Sequence, residues 1–82
     1  MTGRDHDHGE LNHTERERGQ RIWLRAAPRM TRLATIVIRL RVHRGWSPER
    51  ICLRLHISRR RFRRHLLIAV REIARAASEI DG

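Results

Sequence analysis

Two helix starts and the turn between them lie in residues 45–58, GWSPERICLRLHIS. Gly45 can end a preceding helix in the left-handed conformation, and Ser47-Pro48 provides an N-cap followed by a first helical residue. The helix that begins at Pro48 is short, because residues 56–58 interrupt it with a second N-cap. The sequence therefore predicts two consecutive helices, the second beginning at Arg59.

The segment after this turn has the pattern of a long amphipathic helix. Its apolar residues Phe62, Leu66, Ala69 and Ile73 recur at i, i+4, i+7 and i+11, which places them on one helical face. No proline or glycine interrupts the segment before Gly82, so we expect the helix to run to about residue 78. The side away from these apolar residues carries Arg60, Arg61, Arg64, Arg71 and Arg75.

A first core helix is predicted from Thr31 to Arg44. Its apolar residues Leu33, Ile36, Val37 and Leu40 fall on one face at i, i+3, i+4 and i+7. A second apolar stripe, formed by Ile38 and Val42, lies roughly opposite. Either a patch around Ile22 and Trp23 covers this stripe, or a second copy of the chain does, as a homodimer through Ile38 and Val42.

The N-terminal part is predicted to add little to the core. Residues 1–13 are polar and histidine-rich, so we expect a flexible tail. Its histidines His6, His8 and His13 leave open whether the tail holds a metal loosely. A capping box beginning at Thr14 predicts a short helix from Glu15 to about Ala26 within residues 14–28, before Pro28.

The charge of the chain predicts a polyanionic partner. All 19 basic residues are arginine, and with nine acids they give a net charge of +10 over 82 residues. The first 20 residues carry −2, so residues 21–82 carry +12. Arginine binds phosphate and guanine edges through two parallel hydrogen bonds, which suits nucleic acid. A genome rich in G and C is the competing explanation for the arginine content.

Other classes of function lack support in the sequence. Cys52 is the single cysteine, so no internal disulfide is expected, and without a secretory signal we expect a cytoplasmic protein. The most apolar stretch, Leu33–Val42, is too short for a membrane span. No carboxylate pair, nucleophile with a base, or glycine-rich phosphate loop is present, so we expect neither an enzyme nor a bound cofactor or metal.

Together these elements predict an all-α fold, in which residues 29–82 form a three-helix helix-turn-helix domain for DNA binding. The possible short helix before it would be an addition to that domain. The small Cys52 would lie where the two helices of the motif cross, Ile57 would fill the turn, and Phe62 would hold the second helix onto the first.

The motif resembles the fourth region of bacterial sigma factors of the extracytoplasmic-function type. Residues 45–58 are similar to that family's G-x-S-x-x-E-I-A-x-x-L-G-I-S, and residues 62–73 to its V-K-x-x-L-x-x-A-x-x-x-L. The resemblance covers about residues 30–75 and implies a free-standing fourth region, without the promoter-melting region. LuxR-type regulators share a similar turn, but they add a fourth helix after the recognition helix.

The sequence departs from the family pattern at four positions. His56 replaces the usual glycine of the turn and Cys52 replaces alanine, both of which the backbone can tolerate. Arg60 and Arg61 stand where small or hydroxyl residues are common in the family. Because arginine prefers guanine O6 and N7, these two residues would alter which bases are recognised, and the family's target sequence does not transfer.

The resemblance implies a sequence-specific transcription regulator whose recognition helix, about residues 59–77, enters the major groove. It places five arginines against the bases and phosphates of promoter −35 elements: Arg59, Arg60, Arg61, Arg63 and Arg64. Arg50 and Arg54 are expected phosphate contacts. The alternatives are a solvated cationic helix face, or a mimic that contacts RNA polymerase or an anti-sigma protein. A mimic would need an apolar surface, for which the candidates are Ile38, Val42, Leu67 and Ile68.

Overall fold

The structure is a computed structural model that describes the backbone of residues 2–82 and the side chains of residues 14–82. Within residues 2–82 the chain forms only helices and connections, which confirms the all-α prediction. The four α-helices are α1 (Thr2–Ala26), α2 (Arg32–Val42), α3 (Pro48–Leu55) and α4 (Arg59–Asp81), and a 3-10 turn (Ala27–Arg29) connects α1 to α2. Within this described part, no helix is both long and apolar enough to cross a membrane.

The first helix ends where the sequence predicted but does not begin at Thr14. The helix continues through this residue, so the predicted capping box is wrong. The chain has no proline before Pro28, and nothing in the backbone chemistry ends a helix at Thr14. The backbone of residues 2–13, predicted as a flexible tail, is helical and belongs to α1, whereas the side chains of residues 1–13, including its histidines, lie outside the described residues.

A hydroxyl side chain caps the start of each of the next three helices. The Oγ1 of Thr31 accepts a hydrogen bond from the backbone N–H of Ala34 at 3.0 Å in α2. Ser47 and Ser58 begin α3 and α4 in the same way, at 3.2 and 3.1 Å from the amide nitrogens three residues on. These bonds satisfy amides that have no partner within the helix, and they confirm the predicted starts of α3 and α4.

The connection between α3 and α4 is a tight turn through His56, Ile57 and Ser58. His56 adopts the left-handed conformation, with φ 55° and ψ 46°, and ends α3. The backbone N–H of Ile57 then donates to the carbonyl oxygen of Cys52 at 3.1 Å. The half-buried Ile57 side chain packs against the core below the turn, so the turn is anchored to both helices.

Three small apolar clusters hold the helices together. Val37, Ile51 and Phe62 are buried where α2, α3 and α4 meet, and Cys52 and Ile57 pack beside them. A second cluster joins α2 to α4, and a third joins α1 to the C-terminal half of α4. The buried residues of these two clusters are Ala34, Ile38 and Ala69 in the second, and Ile22, Ala26 and Ala76 in the third.

The buried face of α2 differs from the predicted one. Ile36 is 39% exposed, whereas Ile38 is only 7% exposed and packs with Trp23 of α1. Because α1 and α4 both pack against α2, the helix buries a wider arc than the one apolar face predicted. Of the two covers predicted for this stripe, the Trp23 side chain of α1 therefore covers Ile38 within the chain, whereas Val42 stays exposed.

Ile68 is likewise not on the outward side of α4. It is half-buried and packs against the second cluster, whereas its neighbour Leu67 is 49% exposed. Of the apolar residues predicted to form a partner surface, Val42 and Leu67 are exposed. They lie on two different helices, α2 and α4.

Candidate nucleic-acid interface

The first two turns of α4 present a cluster of exposed arginines. Phe62, only 3% exposed, fixes the rotation of the helix by inserting into the first apolar cluster. Arg60 and Arg64 are one helical turn apart on the side away from Phe62, and Arg61 and Arg63 flank them. All five arginines predicted for this helix, Arg59 included, are exposed.

This cluster lies at the electropositive end of its helix. The N-terminus of a helix carries about half a positive charge, which acids in the first turn usually offset. The first turn of α4 contains no acid, and its cap is the neutral hydroxyl of Ser58. The side chains of Arg60, Arg61, Arg63 and Arg64 form no ion pair within the part of the chain whose side chains are described. Their mutual repulsion is therefore uncompensated.

Arg59 has a different environment from the other four. Its guanidinium binds the Oε1 of Glu49 at 3.0 Å, so an ion pair connects the start of α4 to the start of α3. Both side chains are more than half exposed, so this pair adds little to the free energy of unfolding. It does hold Arg59 beside α3 instead of on the outward side of α4.

Helix α3 adds two exposed arginines near this cluster. The guanidinium carbon of Arg50 lies 4.1 Å from the ring centroid of Trp46, within the range of a cation–π contact. Arg54 is exposed and forms no ion pair with any described side chain. Between residues 41 and 71 the chain has ten arginines and a single acid, Glu49, so this end of the molecule is strongly cationic.

The acids of the C-terminal part lie at the other end of α4. The guanidinium groups of Arg25 and Arg29 each bind the Oε1 of Glu79, at 2.9 and 3.0 Å respectively. The pKa of Glu79 is lowered, mainly by the hydrogen bond from Arg29. Desolvation acts in the opposite direction and raises the pKa, whereas the hydrogen bond and charge of Arg25 lower it further. Arg18 pairs with Asp81, whose hydrogen bond and charge raise the pKa of Arg18. These pairs connect α1 and the 3-10 turn to α4, and they neutralise Glu79 and Asp81.

One contact near the cluster had no signal in the local sequence. The Nδ1 of His65 lies 2.9 Å from the Oγ1 of Thr31, which also caps α2. The two residues are 34 positions apart, so only the packing of α2 against α4 brings them together. This bond places the first turn of α2 beside the second turn of α4.

A second surface lies in a groove between α1 and α2, with a volume of about 580 Å³. Its walls include the apolar residues Ile22, Trp23 and Val42, and Ile73 of α4 also contributes. Cationic or titratable side chains line it as well: the guanidinium of Arg39 is 5.9 Å from the Trp23 ring, and the His43 ring packs edge-on at 6.5 Å. The groove is therefore apolar with a basic border.

Both surfaces offer groups that can bind a ligand. Among the side chains that the structure describes, no three histidine, cysteine, aspartate or glutamate residues are grouped so as to hold a metal ion. The arginine cluster offers many hydrogen-bond donors and fixed positive charge, which suits phosphate oxygens and guanine edges. No family model, no curated protein and no solved structure matches this chain.

Proposed function

We propose that this protein is a sequence-specific DNA-binding transcription regulator that acts in the cytoplasm. In this proposal α3 and α4 form a helix-turn-helix, as in the fourth region of a sigma factor, and α4 enters the major groove. One observation carries the proposal: Arg60, Arg61, Arg63 and Arg64 are exposed and unpaired at the electropositive end of a helix that is anchored by Phe62.

The geometry suggests different roles for the arginines. Arg60 and Arg64 are the best placed to reach base edges, because they project from the side of α4 that is opposite the core. Arg61 and Arg63 flank them and would meet phosphates on either side of the groove. On α3, Arg50 and Arg54 are further phosphate contacts. Arg59, which is bound to Glu49, orients α4 relative to α3.

The electrostatics favours a polyanion over a solvated cationic face. Arg60 and Arg64 are i, i+4 neighbours of like charge, an arrangement that destabilises an isolated helix by a few tenths of a kcal/mol per pair. Positive charge near a helix N-terminus costs about 0.3–1 kcal/mol more for each residue at low salt. A duplex that lies against α4 would convert both penalties into attraction, because its phosphates neutralise the arginines.

The test is to replace single arginines and measure duplex selection. Arg60→Ala and Arg64→Ala should each weaken binding by about 1–3 kcal/mol if the residue contacts a guanine through two hydrogen bonds, and should relax the preference at one base pair. Arg60→Lys keeps the charge but removes the forked geometry, so it should lose base preference more than affinity. Bound sequences selected from a random duplex pool would measure both effects.

The matched control is Arg21→Ala, which removes the same charge from an exposed position on α1. It should leave the selected sequence unchanged, and circular dichroism should show equal helix content in all variants. If Arg60→Ala and Arg64→Ala both retain the parent's affinity and selected site, α4 does not enter the groove and the proposal fails.

The α1/α2 groove favours a second candidate function, a mimic that binds RNA polymerase or an anti-sigma protein. Its apolar walls and basic border suit an acidic, partly apolar segment of such a partner. Val42, 65% exposed, lies in this groove and far from the arginine cluster in sequence. If this alternative is correct, Val42→Asp should abolish binding to purified RNA polymerase or to the anti-sigma protein, and Arg60→Ala should not.

A further inference from the structure

An exposed apolar stripe follows one side of α4. Leu67 and Val70 are each 49% exposed, and Ala74 is exposed as well. Their spacing of three and four residues is that of a seam along which two helices pack. Ala77 continues the stripe toward the C-terminus but is half-buried, because it also packs against the cluster between α1 and α4. The stripe lies between the core face and the outward arginine face, and no described element of the chain covers Leu67 or Val70.

We propose that a second copy of this chain packs antiparallel against α4 along this stripe. The residues of the stripe are arranged symmetrically on either side of Glu72, so two antiparallel copies of α4 can pair them. With the two helices centred there, Val70 of each copy faces Ala74 of the other, and Leu67 faces Ala77. A large side chain therefore meets a small one at each of these levels. The same patch on both copies can then fit itself, which is the condition for a two-fold interface.

The two ends of the stripe carry opposite charges, which the same antiparallel arrangement pairs. The next seam positions outward are Arg63 and Asp81, which an antiparallel pair centred at Glu72 brings opposite one another. Arg63 is exposed and forms no ion pair within the described part of the chain, and the side chain of Asp81 is 52% exposed although it binds Arg18. A parallel pair would instead place like charges side by side, so the charge pattern selects the antiparallel arrangement.

The arrangement keeps both arginine faces on one side of the dimer. A two-fold axis perpendicular to the plane of the paired helices leaves Arg60 and Arg64 of both copies pointing in the same direction. At 1.5 Å per residue, the two Arg60 positions lie about 36 Å apart along the pair. Half-sites on DNA lie one helical turn apart, about 34–36 Å. This match rests on the proposed function, whereas the pairing itself does not.

The experiment is sedimentation equilibrium of the full chain without DNA, from low micromolar to several hundred micromolar protein. The parent should be a dimer, and Val70→Glu should raise the dissociation constant about thirtyfold or more, as for a central interface residue. Leu53→Glu is the matched control, because Leu53 is an apolar side chain on α3 that is 77% exposed. This variant should dimerise like the parent.

A crosslink tests the register. In a Cys52→Ala background, Val70→Cys combined with Ala74→Cys should give a covalent dimer on oxidation, whereas Leu53→Cys alone should not. A parent that stays monomeric at every concentration overturns the inference, and so does a dimer that Val70→Glu leaves intact while its circular dichroism is unchanged. Either result leaves the DNA-binding proposal standing, because duplex selection by the arginine variants is measured separately.

Discussion

His56 is the residue that makes the α3–α4 turn possible at an energetic cost. Its left-handed backbone is unfavourable for any residue with a Cβ atom, by about 1–2 kcal/mol. The side chain is exposed and forms no hydrogen bond within the described part of the chain, so no visible contact offsets this strain.

His56→Gly should therefore stabilise the protein, raising the free energy of unfolding by about 1 kcal/mol after the extra entropy of glycine in the unfolded chain is subtracted. Gly45→Ala is the reverse substitution, because it adds a Cβ atom at a left-handed position. Gly45 has φ 68° and free space around a built Cβ, so alanine should lower the free energy of unfolding by a similar amount through backbone strain alone. Urea denaturation measures both. If the glycine variant is less stable than the parent, the left-handed turn is wrong.

At the level of helices, ion pairs supplement small apolar contacts in attaching α1 to α4. The fully buried residues between them are Ile22 and two alanines, and Met30, Ile73 and Ile80 pack around these. Glu79 receives hydrogen bonds from two arginines of the α1 side of the molecule. The docking of α1 should therefore respond to the protonation of this one carboxylate.

Acid should weaken this docking. Because the pKa of Glu79 is lowered in the folded protein, its contribution is present above the ordinary value of 4.5 and is lost as the pH falls through the lower folded value. The parent should lose thermal stability on acidification below pH 4.5, and Glu79→Gln should be less stable at pH 7 and lose less in acid. Melting curves from neutral to acidic pH measure this. Glu15→Gln is the control and should respond to acid like the parent. If the parent and Glu79→Gln lose the same thermal stability in acid, Glu79 does not stabilise the docking of α1.

The sequence predicted elements where the signal was local and failed where it was not. Ser47 and Ser58 begin helices because a hydroxyl three residues before an amide is a contact within one turn, and both starts are confirmed. The burial of Ile38 depends instead on α4 and on the Trp23 side chain of α1, which no pattern within α2 reveals. Thr14 failed for a related reason, because a capping sequence caps only where the helix actually begins.

At the scale of the whole molecule, the charge is separated along α4. The arginine cluster is at one end, and Glu79 and Asp81 are at the other, in ion pairs with arginines. The molecule is also flat, with principal extents of 44 × 34 × 14 Å. The exposure of the arginines could be predicted from the helical periodicity, but the pairing of the acids with α1 could not. That pairing leaves the cationic end with little internal compensation.

DNA binding should accordingly depend steeply on salt. If the exposed arginines of α3 and α4 neutralise four to six phosphates, the slope of log K against log salt should be about −4 to −5. Arg61→Ala should reduce its magnitude by about 1, and Arg21→Ala should leave it unchanged. Fluorescence anisotropy of a labelled duplex at several salt concentrations measures these slopes. A flat plot for the parent, or no binding at low salt, would contradict the phosphate contacts.

The two tryptophans separate the candidate surfaces optically. Trp46 stacks under the guanidinium of Arg50 at the α3 end, whereas Trp23 lies in the α1/α2 groove beside His43. Since the chain contains no tyrosine, its near-ultraviolet emission comes almost wholly from these two indoles. Trp23→Phe thus leaves a fluorophore that reports on the cationic end, and Trp46→Phe one that reports on the groove. The wavelength and quenching of a single indole then reveal which surface a ligand has reached, with no dye attached.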